Sequence, residues 1–212
     1  MPRKSVNPTP RRRPSRDTKP VTYVFCEGEK TEPTYFSRWR ERGMSLHIIK
    51  VSHTDPCGII TDAQEIISGR SFEPSQGDSV WCVYDVDANS DAILAKAAAL
   101  AKRNRFDIAL SNPCFELWYI LHFEMQGGSL SSSGAIGHIS GKIAGYSKNM
   151  DVFDTLSPRI QVAMDNAANI KRRYGPEIDP IQDRSCNPFT NVDVLVQKLQ
   201  AQQVKALRRA ER

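Results

Sequence analysis

The stretch VTYVFCEGEKTEPTYF, residues 21–36, changes character twice. It opens with the apolar, β-branched and aromatic run VTYVFC, which reads as a buried strand. Four ionisable side chains follow within six positions: Glu27, Glu29, Lys30 and Glu32. Pro33 and an aromatic cluster then restore the apolar pattern. Thr31 is placed to cap a helix with Pro33 in its first turn, and Tyr35, Phe36 and Trp39 share one face of that helix, which Gly43 ends. The fold class turns on this strand-to-helix junction, and so does a question about chemistry. Carboxylates crowd the point where one buried element gives way to the next.

The same alternation continues downstream. LHIIKV (46–51) reads as a second strand, and residues 59–68 as a helix with Ile59, Ile60, Ala63, Ile66 and Ile67 inward. SVWCVYD (79–85) is a third strand, after which Ser90 caps an Ala-rich helix reaching to about Asn104. FDIALS (106–111) is a fourth. Asn112 then reads as an N-cap, with Pro113 at the first helical position and CFELWYILHF continuing the helix. The order βαβαβαβα over residues 21–124 predicts an α/β fold: a Rossmann-like parallel sheet of about four strands, covered by helices on both faces and joined by right-handed crossovers. Residues 125–212 read as a loop and a helical C-terminal extension. In it, QGGSLSSSGAIGHISG (126–141) has the composition of a flexible loop. Residues 157–175 form a helix capped by Ser157, and a last helix capped by Thr190 frays into KALRRAER.

The chain has 212 residues, 40% of them hydrophobic and 25% charged, which suits a soluble protein with a real core. No apolar run is long enough to span a bilayer, and the basic, Pro-rich N-terminus lacks the apolar centre of a secretory signal. The five cysteines, Cys26, Cys57, Cys82, Cys114 and Cys186, are odd in number and widely spaced. That argues against a disulfide framework or a zinc knuckle and fits a reducing cytoplasm. The net charge of +5 is concentrated. Residues 1–20 hold seven basic side chains, Arg11, Arg12 and Arg13 among them, against one acid, while the remainder holds 22 basic and 23 acidic residues. A segment of this composition reads as a disordered tail. It suits a phosphate-seeking arm and a solubilising leader about equally.

In a parallel sheet, the loops leaving the strand C-termini gather at one edge, where ligands bind. Glu27 follows the first strand directly. Asp85 and Asp87 follow the third and, two apart in an extended segment, face one point. Three carboxylates on one edge repel each other unless a cation is present, and hard oxygen ligands suit Mg²⁺ or Mn²⁺. Gly28 would let a ligand approach the backbone closely. Taken singly, a D-x-D is commonly a solvated turn, and EGEKTE would serve a helix dipole equally well. SNPCFELW (111–118) opens onto the same edge, offering Asn112 and helix amides for phosphate. Glu116 sits among Phe115, Leu117, Trp118 and Tyr119, too apolar a setting for a surface position, so it is read as facing the site. His122 falls off that face and reads as structural.

Together, VFCEGEKTEPTYF, YDVDAN, SNPCFELWYILHF and NPFTNV resemble the RloB-like family, which is found beside bacterial restriction and phage-defence genes. The resemblance spans roughly residues 20–200. That family is in turn similar to Toprim domains, the fold of primases, topoisomerases and the overcoming-lysogenisation-defect nucleases. There a Glu after strand one and a D-x-D after strand three bind Mg²⁺ and act on phosphodiesters. The resemblance carries these roles to Glu27, Asp85 and Asp87. Toprim loops often run E-G-x-x-D; here Thr31 holds the last position with Glu32 beside it, which leaves open whether Glu32 substitutes.

The resemblance implies a Mg²⁺-dependent or Mn²⁺-dependent endonuclease acting in anti-phage defence or abortive infection. Its metal would sit on Glu27, Asp85 and Asp87. Glu27, Lys30 and Glu116 would be catalytic, and Arg11, Arg12, Arg13, Lys30 and Asn112 would contact nucleic acid. RNA such as tRNA, or DNA, would be the substrate, and a defence-system protein or further copies of the chain would be partners. Two other readings stand beside it: a nucleotidyl-transfer or regulatory enzyme of the same fold, and a non-catalytic nucleic-acid-binding subunit.

Overall fold

The computed structural model describes residues 19–41, 43–86 and 89–211. Four strands, β1 (Val21–Cys26), β2 (Ser45–Lys50), β3 (Ser79–Asp85) and β4 (Asp107–Asn112), lie parallel in the order β2-β1-β3-β4. These are the four strands expected from the sequence, within a residue at each end. A fifth, β5 (Phe189–Thr190), was not expected. It runs antiparallel to β4 and pairs Asn112 with Phe189 and Ser111 with Thr190. Two residues are too few to show a period-two pattern, so pairing rather than composition makes this strand.

Helices cover both faces of the sheet, because every other strand residue points each way. On one face, Tyr23, Phe25, Cys82 and Tyr84 pack against α2 (Pro56–Ser68) and α3 (Asp91–Asn104). On the other, Val24, Cys26, Trp81 and Val83 share a core with α1 (Thr31–Ser37) and α4 (Glu116–Leu121). That same core takes in residues of α5 (Ser132–Lys142), α7 (Ile160–Lys171) and α8 (Val192–Ala210), while Phe153 of α6 (Phe153–Leu156) packs against it. The C-terminal extension is thus built into the sheet's second layer. Fully burying one of these Leu, Ile or Phe side chains contributes about 1.5–3 kcal/mol. All five cysteines are free, and four are buried as small apolar groups. Among the described residues, no helix is long and apolar enough to cross a membrane.

Several local expectations are corrected. Thr31 is the first residue of α1 rather than its cap; Lys30 holds that position, and the Thr31 hydroxyl instead donates to the Lys148 carbonyl at 3.2 Å. Asn112 caps nothing. Pairing with Phe189 keeps the chain extended there, and the helix starts only at Glu116. Residues 126–141 are not all loop: α5 begins at a cap where Ser131 Oγ accepts from the Gly134 amide at 3.0 Å. Burial of Ala135 and Ile139 overrides the weak helix propensity of its Gly and Ser residues.

The expected helix over 157–175 is a 3₁₀ turn at Ser157–Arg159 followed by α7, and α6 runs directly into that turn, so Ser157 is not a cap. Thr190 lies in β5, yet its hydroxyl still accepts from the Val192 amide at 3.3 Å. α8 continues to Ala210 instead of fraying. The tail reading falls on residues 1–18, which lie outside the described residues, as do Asp87 and Arg11, Arg12 and Arg13.

Candidate active site at the strand switch point

With the order β2-β1-β3-β4, the chain leaves β1 toward one side of the sheet and resumes at β3 on the other. The loops beyond these two strands therefore diverge and open a crevice at their C-terminal ends, the usual ligand position in such sheets. Glu27 and Asp85 stand on its two lips. The Glu27 amide donates to the Val83 carbonyl at 3.0 Å, extending the β1–β3 ladder by one step. Its carboxylate Oε2 accepts from the Asp85 amide at 2.9 Å. The two acids predicted from the first and third strand ends are thus brought side by side.

Two further carboxylates join them. Glu32, in the first turn of α1, is only 5% exposed. Its carboxylate folds back over Gly28 so closely that a Cβ on residue 28 would overlap it. The space the sequence suggested for close approach of a ligand at Gly28 is taken by the Glu32 side chain from the first turn of α1. Glu116 opens α4, is 1% exposed, and accepts a hydrogen bond from the Tyr146 hydroxyl at 3.1 Å. The Phe115 amide donates to Asp85, which links the segment after β4 to the end of β3. Glu27, Glu32, Asp85 and Glu116 line a cleft of about 320 Å³, with Lys30 and Lys148 at its edge.

Electrostatics follow from this crowding. Burial raises the Asp85 carboxyl well above the usual carboxylate range, and the charges of Glu32, Glu27 and Glu116 push it further. Glu32 is raised too, first by burial and then by Glu116; a backbone hydrogen bond and Lys148 oppose this in part. Burial and the neighbouring Glu116 charge raise the Tyr146 hydroxyl strongly, so it remains a donor. His122 is fully buried, with Nδ1 2.8 Å from the Trp118 carbonyl, and burial lowers its pKa to about 4, leaving it neutral. Its ring meets Trp118 edge-on within the core rather than facing the cleft.

A family model described as RloB-like protein matches residues 22–199. The chain belongs to the RloB-like family. No curated protein and no solved structure gives a match. Of the residues singled out in this RloB-like sequence, Glu27, Lys30, Asp85 and Glu116 meet at one cleft. Asn112 does not: its side-chain amide donates to the carbonyls of Arg184 at 2.9 Å and Cys186 at 2.7 Å, and it is 3% exposed.

Sequence reasoning missed Tyr146 and Lys148 as site residues. They arrive from the chain after α5, which no strand-end argument reaches; tertiary contacts of Tyr146 with Glu116 and of the Lys148 carbonyl with Thr31 bring them in. Glu32 carried a signal, since it sits beside the position where Toprim loops often place an acid.

The donors at the cleft are all carboxylates, a set suited to a hard divalent cation. Burial and mutual repulsion raise the pKa of two of them, which is what bound positive charge relieves. Among the described residues, no three His, Cys, Asp or Glu side chains stand close enough to share one ion. A cation held here by Asp85 and its neighbours would require these side chains to reorient.

Proposed function

We propose that this RloB-like protein is a Mg²⁺-dependent nuclease, hydrolysing phosphodiesters of RNA or DNA in bacterial anti-phage defence. The observation that carries the reading is the convergence of Glu27, Glu32, Asp85 and Glu116, from the chain at the ends of β1, β3 and β4, on the cleft at the switch point of the sheet. Such a cluster is an electrostatic liability to a purely structural protein and an asset to one that binds a metal and a phosphate.

Asp85, Glu27 and Glu32 would hold the cation, with Asp87 as a further ligand from the sequence pattern. When bound, a divalent ion supplies Lewis-acid polarisation of a phosphoryl oxygen and lowers the pKa of a water. The chain's own groups do the rest. Glu27, anchored by the Asp85 amide, is placed to move a proton at the edge of the cleft. Glu116 is kept in place by Tyr146. Lys30 and Lys148 would set positive charge beside the anionic substrate and steady charge in the transition state.

Purified protein incubated with mixed RNA and DNA in Mg²⁺ or Mn²⁺ tests the reading. Cleavage that disappears with EDTA and in Asp85→Ala supports it. The absence of grouped ligands among the described residues favours one competitor, a non-catalytic nucleic-acid-binding subunit. That competitor predicts binding without cleavage under every metal condition.

A further inference from the structure

A second cleft, of about 300 Å³, lies at the opposite edge of the sheet, where β1, β2 and β3 begin. One wall is α8. Lys198, Lys205 and Arg209 line it from that helix, and Lys19, two residues before β1, adds a fourth cation. Positions 198, 205 and 209 are seven and four residues apart. At 100° per residue they fall on one stripe of α8, strung along about 16 Å of its axis. Among the described residues the lining contains no acidic side chain, and none of the four cations forms a salt bridge. The Lys198 charge reaches Asp107, which lies outside the cleft lining.

The cleft has a defined shape. Gly43, at φ +95°, brings the start of β2 against α8, and a Cβ there would sit 3.7 Å from the Ala206 Cβ and 3.9 Å from Lys19 Nζ. Gln202 fixes the helix to β1 through hydrogen bonds with the Thr22 hydroxyl, the shorter at 2.8 Å. Unpaired cations held in a line on a rigid wall repel one another unless anions lie along them.

We propose that this cleft binds the phosphodiester backbone of a nucleic-acid duplex, as a site separate from the acidic cleft. Three features favour a polymer backbone over a single nucleotide or a free base. The cations are spaced along a line rather than converging on one point. The lining contains no aromatic ring, so there is no platform for stacking an unpaired base. Lys19 is also the last of the seven basic residues in the first twenty positions, so the sequence continues the positive charge directly from this cleft. Contacts of this kind position a duplex without reading its sequence. The proposal does not depend on the acidic cleft being catalytic.

The test is fluorescence anisotropy of a labelled duplex of ~20 base pairs with the full chain in EDTA, over a range of salt. A triple variant, Lys198→Gln, Lys205→Gln and Arg209→Gln, should bind at least about tenfold more weakly. The slope of log affinity against log salt should fall by roughly 2 to 3, the loss expected for three phosphate contacts. The charge-keeping triple, Lys198→Arg, Lys205→Arg and Arg209→Lys, should retain both affinity and slope. An unchanged slope in the neutral triple, or equal loss in both triples, would overturn the proposal. So would displacement of the duplex by inorganic phosphate or a mononucleotide at concentrations close to that of the protein, which would assign the cleft to a small anion.

Discussion

The two ends of the sheet are electrostatic opposites. Beyond the C-termini of β1, β3 and β4, four carboxylates line one cleft, and their crowding adds to burial in raising the pKa values of Asp85 and Glu32. At the N-termini of β1–β3, four cations line a cleft that holds no acid among the described residues. The acidic end is built from buried, short-range contacts: Glu27 on the Asp85 amide, Tyr146 on Glu116, Glu32 over Gly28. The basic end is built from exposed or half-exposed side chains, three along α8 and Lys19 before β1. The first arrangement suits a compact, strongly desolvated site for a cation and a reacting group. The second suits a long, weakly specific grip on a polyanion. A sheet about six residues deep keeps the two roughly 20 Å apart, so neither neutralises the other.

The largest effect should come from the acidic end. Asp85→Ala should abolish metal-dependent cleavage while leaving duplex binding in EDTA intact, which separates the two ends directly. Glu27→Gln should lower kcat by about 10²-fold or more if Glu27 moves a proton, and excess Mn²⁺ should not restore it. Partial recovery with Mn²⁺ would instead reduce Glu27 to a ligand. Steady-state cleavage rates, with circular dichroism to check the fold, decide between these.

A smaller effect is expected one step away. Tyr146→Phe removes the hydroxyl that donates to buried Glu116 and leaves the ring. An unmet buried acceptor costs about 1–3 kcal/mol, so activity should fall roughly 5-fold to 150-fold, in kcat more than KM. If KM alone rises, Tyr146 touches substrate rather than orienting Glu116.

The smallest effects are on stability, and their signs follow from the raised carboxyls. Because Asp85 and Glu32 hold protons more tightly folded than unfolded, stability falls as pH climbs from the ordinary carboxylate range through their raised values. Melting temperatures of the metal-free protein over a pH series should show this loss above the ordinary carboxylate range. Glu32→Gln should shrink that loss and raise Tm near neutral pH, by about 2–4 °C for each kcal/mol of repulsion relieved. A lower Tm in Glu32→Gln at neutral pH would mean that its charge is already compensated.

Much of the acidic end was legible in the sequence, and almost none of the basic end. Glu27 and Asp85 stand at strand ends, and strand ends can be located from β-branched and aromatic runs. The topological rule for parallel sheets then brings them together. Glu116 stood out because a carboxylate within CFELWYILHF needs a reason. Tyr146 and Lys148 carried no such signal, because a residue between two short helices is placed only by tertiary packing. The stripe of Lys198, Lys205 and Arg209 could be read as ordinary solvated helix charge. Only the packing of α8 beside Gly43 and Lys19 makes it a cleft wall. Asn112 misled for a related reason. The step from Asn112 to Pro113 resembles a helix start, and an antiparallel partner 77 residues further on overrides it.

Calorimetric titration of Mn²⁺ into the nucleic-acid-free protein tests the central claim most directly, that the carboxylates at the switch point form a cation site. Saturable binding is expected. Its heat should change with the buffer's ionisation enthalpy at pH values where the raised carboxyls still hold protons, because the metal competes with those protons. Asp85→Asn should remove or greatly weaken it. Binding that is absent, or that persists unchanged in Asp85→Asn, would contradict the account.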